Sequence, residues 1–166
     1  MGRASVTVTF AGSVHEAETC WYDHTGWPAW VDGLERVLEV DPPWPEQGGR
    51  IVWESGPAGR GHVTEKVAAH SPLGGQTVDV DDDSILGRQS VSFTPADENV
   101  EVQLKLEYEI KRRSLFTPLV DWLFIRRAME TSLRTTLGRF GVELADVRAR
   151  SRQTAGRVRA HHPRHR

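Results

Sequence analysis

The feature that most constrains the fold is an unbroken alternation of apolar and polar residues from Val100 to Ile110. Every second residue is apolar or aromatic, Tyr108 among them, and the residues between are charged or carry an amide. Because successive side chains of a β-strand point to opposite faces, this period of two predicts a strand with one solvated face and one covered face. Another layer of structure must therefore cover the apolar face.

Shorter stretches with strand character precede this one and are separated by turns rich in glycine and proline. They lie at residues 5–11, 34–40, 50–55, 61–70, 75–83 and 87–95. The short connections between consecutive strands predict an antiparallel meander of about seven strands.

Helical signals flank this run of strands. Ser13 and Glu16 have the spacing of a capping box, which predicts a helix to about Asp23, followed by a short helical turn with Trp27 and Trp30. A long helix is predicted from Pro118 onward, with one broad apolar stripe. The predicted fold class is α+β: a curved antiparallel sheet, two short helices after the first strand, and a long C-terminal helix that covers the sheet.

Composition favours one globular domain, since 38% of the 166 residues are hydrophobic and 27% are charged. No stretch has the roughly 18 uncharged apolar residues of a membrane span. The single cysteine, Cys20, excludes an internal disulfide and favours a reducing compartment. We therefore expect a cytoplasmic protein whose single globular domain occupies residues 1–147.

Residues 148–166 hold seven arginines, three histidines and no acidic residue. Subtracting these seven positive charges from the net charge of −2 leaves −9 on residues 1–147. This composition predicts a disordered basic tail without a dedicated partner, although such a tail could also contact nucleic acid or an anionic membrane.

The sequence contains none of the common nucleotide, zinc, redox or serine-hydrolase motifs, so we expect no cofactor and no metal. Polar residues that share a strand face with apolar neighbours become the candidates instead. The parity of each strand turns Trp53, Glu65, Gln89 and Tyr108 toward the covered face, provided that no bulge intervenes.

On the long helix, Arg126 and Glu130 fall within the stripe that also contains Trp122. Their spacing of four residues lets them pair with each other. They would either fix the polar end of an apolar ligand or form a surface pair at the helix edge. Trp30 would either fill the core or form part of the cavity wall.

The order of elements resembles the START-like (SRPBCC) superfamily and its helix-grip fold, and most closely the bacterial polyketide cyclase/dehydrase-like branch. The resemblance rests on the opening strand and helices through Trp30, on the glycine-preceded strand "EQGGRIVWES", and on the closing helix "LFTPLVDWLFIRRAMETSLRTTLGRFGVEL". It covers residues 5–145 and implies an internal cavity between sheet and helix that takes an apolar small molecule.

Three functions remain open at this point. The first is binding of a hydrophobic lipid-like or polyketide-like molecule. The second is a cyclase or dehydratase that acts in the same cavity, with Glu65, Tyr108, Arg126 and Glu130 as candidate groups. The third is an interaction through the basic tail, with the folded domain as a scaffold.

Overall fold

A computed structural model describes residues 1–57, 59–111 and 118–160, with the backbone alone for 118–122. Within these residues, seven strands and three α-helices follow one another in the predicted order. Their bounds are β1 Gly2–Ala11, α1 Val14–Tyr22, α2 Trp27–Trp30, β2 Leu34–Asp41, β3 Arg50–Ser55, β4 His62–Ser71, β5 Gly75–Asp81, β6 Ile85–Ala96, β7 Asn99–Ile110 and α3 Pro118–Ala160.

The strands form one antiparallel sheet in the order β1-β7-β6-β5-β4-β3-β2. The long alternating strand is confirmed: side chains of β7 are buried at every second position from Val100 to Tyr108. A bulge in β4 follows Val67 and turns Ala69 outward, contrary to the simple parity, but Glu65 precedes the bulge and keeps its inward direction.

The capping box is also present. The Ser13 side chain accepts a hydrogen bond from the Glu16 backbone, and the Glu16 side chain accepts one from the Ser13 backbone. After α1, a single 3-10 turn at His24–Gly26 leads directly into α2.

Both short helices pack against α3 through aromatic rings. The ring centroids of Trp21 and Trp30 are 4.8 Å apart, and each lies 5.1 Å from that of Phe140. These contacts fix the second half of α3 above the concave side of the sheet.

The middle of α3 forms the helical side of the core, with Leu133, Leu137, Phe140 and Leu144 all buried. Gly141 allows the helix to approach β1 closely, because a Cβ at this position would lie 2.4 Å from a ring carbon of Phe10. The helix-grip arrangement predicted from the sequence is thus confirmed.

Beyond residue 147, where the sequence predicts a disordered tail, α3 continues as a helix to Ala160. Side chains from Ala149 to Ala160 are exposed along this extension. Residues 161–166, with the three histidines of the tail, lie outside the described residues.

Candidate ligand-binding cavity

A small cavity of about 50 Å³ lies between the sheet, α2 and the middle of α3. The strands contribute Trp53, Glu65, Gln76, Val78, Gln89, Val91 and Leu104 to its wall. The short helix α2 contributes Trp27 and Trp30, and α3 contributes Ser132, Leu133 and Thr136. Four of the eight residues predicted from the sequence, namely Trp30, Trp53, Glu65 and Gln89, therefore meet around one space.

Glu65 carries the most unusual chemistry of the cavity. Its side chain is buried, and its Oε1 accepts a hydrogen bond of 3.1 Å from Trp53 Nε1. Burial raises the pKa of this carboxyl, while the Trp53 hydrogen bond and the nearby positive charge of Arg60 partly oppose the increase. The carboxyl thus keeps its proton to higher pH than an exposed glutamate and can then donate a hydrogen bond.

Arg60 closes one side of the cavity, and nothing in its local sequence pattern predicts this. Its guanidinium carbon lies 5.5 Å from the centroid of Trp53, and its Nε donates to Asp82 Oδ2 at 2.5 Å. Asp82 is fixed in turn by backbone N–H groups of Ser84 and Ile85. The arginine is therefore held by a buried carboxylate beside the ring that contacts Glu65.

Gln76 also lines the cavity. It is not among the residues predicted from the sequence, although its position on β5 indicates that it faces inward. It shares the parity of Val78 and Val80 on β5, so the same argument that selected Gln89 would have selected it. Its Nε2 donates to the carbonyl oxygen of Pro45 at 2.8 Å. The amide is thereby oriented by the loop that connects β2 to β3.

Tyr108 faces the covered side of β7, as predicted, but it is not among the described residues that line the 50 Å³ cavity. Its ring lies over Gly2, its partner on β1, where a Cβ would come within 2.6 Å of the phenol oxygen. Burial raises the pKa of this phenol; the positive charge of Arg126 opposes the rise and the negative charge of Glu130 adds to it.

Arg126 and Glu130 lie six and two residues before Ser132, the first residue of α3 in the cavity wall, and their side chains are about half and one third exposed. Arg126 Nε and Glu130 Oε1 are 3.4 Å apart, so the pair expected from their spacing is present. Both residues line a groove of about 400 Å³ that runs between α3 and strands β1 and β7. They are thus turned toward the sheet, but across a space that is open to solvent.

The groove and the cavity are neighbours. On β7 the groove reaches Leu106 and the cavity reaches Leu104, which lies on the same face of the strand. On α3 the groove reaches Glu130 and the cavity reaches Ser132 and Leu133. The side chain of Trp122, the eighth predicted residue, lies outside the described residues.

Neither a metal centre nor a membrane-spanning helix is found in the part of the chain that the structure describes. No cluster of three or more His, Cys, Asp and Glu residues there could hold a metal ion. None of the described helices combines the length and the apolar character that a membrane crossing requires.

Comparison with known proteins agrees with this architecture. Residues 1–145 match the family model described as polyketide cyclase/dehydrase and lipid transport. A sequence comparison with curated proteins found no match.

Solved structures with the same fold share little sequence with this chain. A START superfamily protein from Mycobacterium smegmatis is 13% identical, with a TM-score of 0.71 over 89% of this chain and 99% of that one. StfQ, a di-domain ARO/CYC of the steffimycin biosynthetic pathway, is 15% identical, with a TM-score of 0.70 over 89% of this chain and 51% of StfQ. A Thalictrum norcoclaurine synthase point mutant is 11% identical, with a TM-score of 0.64 over 88% of this chain and 95% of that one.

Proposed function

Because the chain belongs to the polyketide cyclase/dehydrase and lipid transport family, we propose that it binds an apolar, lipid-like or polyketide-like small molecule between the sheet and α3. The observation that carries this proposal is the buried carboxyl of Glu65 in the 50 Å³ cavity, held by Trp53 Nε1. Apolar walls with a few convergent polar groups are typical of small-molecule sites.

The volumes indicate where such a ligand lies. The 50 Å³ cavity has room for little more than one or two water molecules. The adjoining groove of about 400 Å³ falls within the range of about 300–1,000 Å³ that is usual for ligand sites. We infer that the ligand enters through this groove, where Ala4 and Leu106 are the apolar lining residues, and that it reaches Glu65 after the side chains between groove and cavity move apart.

The helix is the wall that can move. Between Leu133 and Leu144 α3 is anchored by buried side chains, whereas Leu123 and Phe124 are 47% and 73% exposed. The described part of α3 before Leu133 thus has fewer apolar contacts to lose when it shifts. Arg126 and Glu130 stand at the entrance of the site in this arrangement.

The compartment is a separate point of the proposal. The free thiol of Cys20 fits a reducing, cytoplasmic environment.

A titration with the neutral fluorescent probe N-phenyl-1-naphthylamine tests this site. We expect saturable binding of one probe per chain, and native mass spectrometry of gently purified protein should show a co-purified apolar species. Ala4→Leu places a larger side chain in the groove and should weaken probe binding by about tenfold. Ala149→Leu, an equal change on the exposed extension of α3, is the matched control. Equal affinity in both variants, or no saturable binding by the wild type, would contradict the proposal.

The raised pKa of Glu65 favours catalysis as a second candidate function. A buried carboxyl with a raised pKa can act as a general acid in a cyclisation or dehydration. With an aromatic polyketide-like substrate, Glu65→Gln should abolish turnover, while Glu130→Gln makes the same chemical change at the exposed entrance and should retain it. Turnover that survives in Glu65→Gln excludes this role.

A further inference from the structure

A second pocket lies on the other side of Trp30, between α1 and the second half of α3. Its volume is about 240 Å³, and it shares only Trp30 with the residues that line the central cavity. We call it the α1/α3 pocket and define it by Thr19, Cys20, Gly26, Trp30, Glu143 and Val147. It lies outside the space between sheet and helix in which the proposed function places the ligand.

The indole Nε1 of Trp30 lies close to Gly26, one of the residues that line this pocket. Gly26 lines the α1/α3 pocket and not the central cavity, and a Cβ at Gly26 would lie 3.8 Å from Trp30 Nε1. The side chain is 1% exposed, and its Nε1 has no hydrogen-bond partner among the described residues. By contrast, the indole N–H groups of Trp27, Trp44 and Trp53 all donate to an oxygen of the protein.

A buried donor without an acceptor is costly, by roughly 1–3 kcal/mol. Because an indole N–H can only donate, the complementary group must be an acceptor oxygen or nitrogen. A cavity of about 150 Å³ lined by apolar side chains is large enough for benzene. The α1/α3 pocket at about 240 Å³ therefore accommodates a single aromatic ring that carries one polar substituent.

The charges around the pocket decide between neutral and charged occupants. Glu16, Asp23 and Glu143 line it together with a single guanidinium, that of Arg148. Glu16 pairs with Arg148 at 3.3 Å, and Glu143 pairs with Arg150 at 3.3 Å. The excess of carboxylates disfavours an anion. Two of the three carboxylates already have cationic partners, so a cation gains little there.

Cys20 contributes an apolar part of the wall. Burial, together with the negative charges of Glu143 and Asp23, raises the pKa of its thiol to about 11. At neutral pH the sulfur is thus a thiol and offers a soft, uncharged surface to a ring.

We propose that the α1/α3 pocket binds a small uncharged molecule with an apolar ring and one carbonyl-type acceptor, which accepts a hydrogen bond from Trp30 Nε1. The same tryptophan forms part of the wall of the central cavity, so the two spaces share one side chain. A molecule in the α1/α3 pocket therefore contacts the Trp30 indole on the side away from the central cavity.

The test follows the indole N–H resonance of Trp30 by ¹H–¹⁵N NMR, assigned with Trp30→Phe. The probes are benzamide, benzamidine and benzoate, which have nearly the same shape. Benzamide is neutral and offers a carbonyl, benzamidinium lacks an acceptor, and benzoate is an anion. We expect benzamide to shift this resonance in a saturable way, and the other two to bind about tenfold more weakly.

Gly26→Ala provides the decisive variant. Its backbone is in the right-handed helical region, with φ of −86°, and the new Cβ would make only an ordinary contact with the indole. The methyl group occupies the space in front of Nε1 and should weaken benzamide binding by about tenfold. Gly138→Ala adds the same methyl group on α3, where no atom lies within 4 Å, and should leave binding unchanged.

Three results would overturn the proposal: no shift with benzamide, equal shifts in Gly26→Ala and in the wild type, or a shift of the Trp53 resonance in place of that of Trp30. Ala4→Leu separates this inference from the proposed function. That variant alters the groove beside β1 and should leave the benzamide effect intact even where it abolishes binding of N-phenyl-1-naphthylamine.

Discussion

On the sheet side of the cavity, Trp53, Glu65 and Gln89 lie where strand parity places them, whereas on the helix side Arg126 faces the sheet across an open groove. Neighbouring strands lie at a fixed spacing within the sheet. A strand residue whose side chain points to the covered face is therefore also held at a defined distance from the sheet. A helical wheel gives only the angle around the helix axis. It contains no information on the distance between that axis and the sheet.

The same distinction applies within α3. Leu133, Leu137 and Phe140 share the stripe of Arg126 and are buried, while Leu123, nearer the start of the same helix, is 47% exposed. One apolar stripe therefore passes from a closed contact with the sheet to an open groove. The local separation of helix and sheet, and not the periodicity, determines which residues are buried.

The largest effect is expected where helix and sheet are closest. Gly141→Ala should force the α3 backbone or Phe10 to move and destabilise the fold by about 1–3 kcal/mol. Gly138→Ala, three residues earlier on the same helix, should stabilise it by up to about 1 kcal/mol, because alanine favours the helix and nothing lies within 4 Å. Urea unfolding of the two variants measures the difference. Equal free energies of unfolding would mean that α3 does not approach β1 closely at Gly141.

The next effect depends on pH and concerns the sheet side. Because the folded-state pKa of Glu65 is raised above its unfolded value, its contribution to stability is fully present below the unfolded pKa and is lost as pH rises through the folded pKa. Glu65→Gln keeps an acceptor for Trp53 Nε1 but cannot ionise, so this part of the decline should vanish. Unfolding free energies measured from pH 4 upward test the sign. A steeper decline in the variant than in the wild type would show that Glu65 is not the titrating group.

The smallest effect is expected for the exposed pair on the helix side. A double-mutant cycle with Arg126→Ala and Glu130→Ala should give a coupling of about 0.3–0.5 kcal/mol, as is usual for helical pairs four residues apart. Added salt should reduce it. A coupling of several kcal/mol that salt does not change would mean that the pair is desolvated and belongs to a closed site.

Much of the architecture could be predicted because it follows from local sequence. The alternation on β7, the capping box of α1 and the turn residues between strands each act over a few residues, and together they place seven strands before one long helix. The match of residues 1–145 to the family model agrees with this order. The helical extension to Ala160 was not predicted, since its arginine-rich sequence lacks an apolar stripe.

Which elements form and which strand residues face inward could be read from the sequence for most of the chain, because both depend on its period and on neighbouring residues; the bulge before Ala69 and the extension to Ala160 are exceptions. The volume beside Glu65, the depth of Arg126 and the missing acceptor of Trp30 Nε1 became clear only from the folded chain. Each of these depends on how closely segments distant in sequence pack together. That spacing is set by the combined volume of side chains from several elements, and no single stretch of sequence contains it.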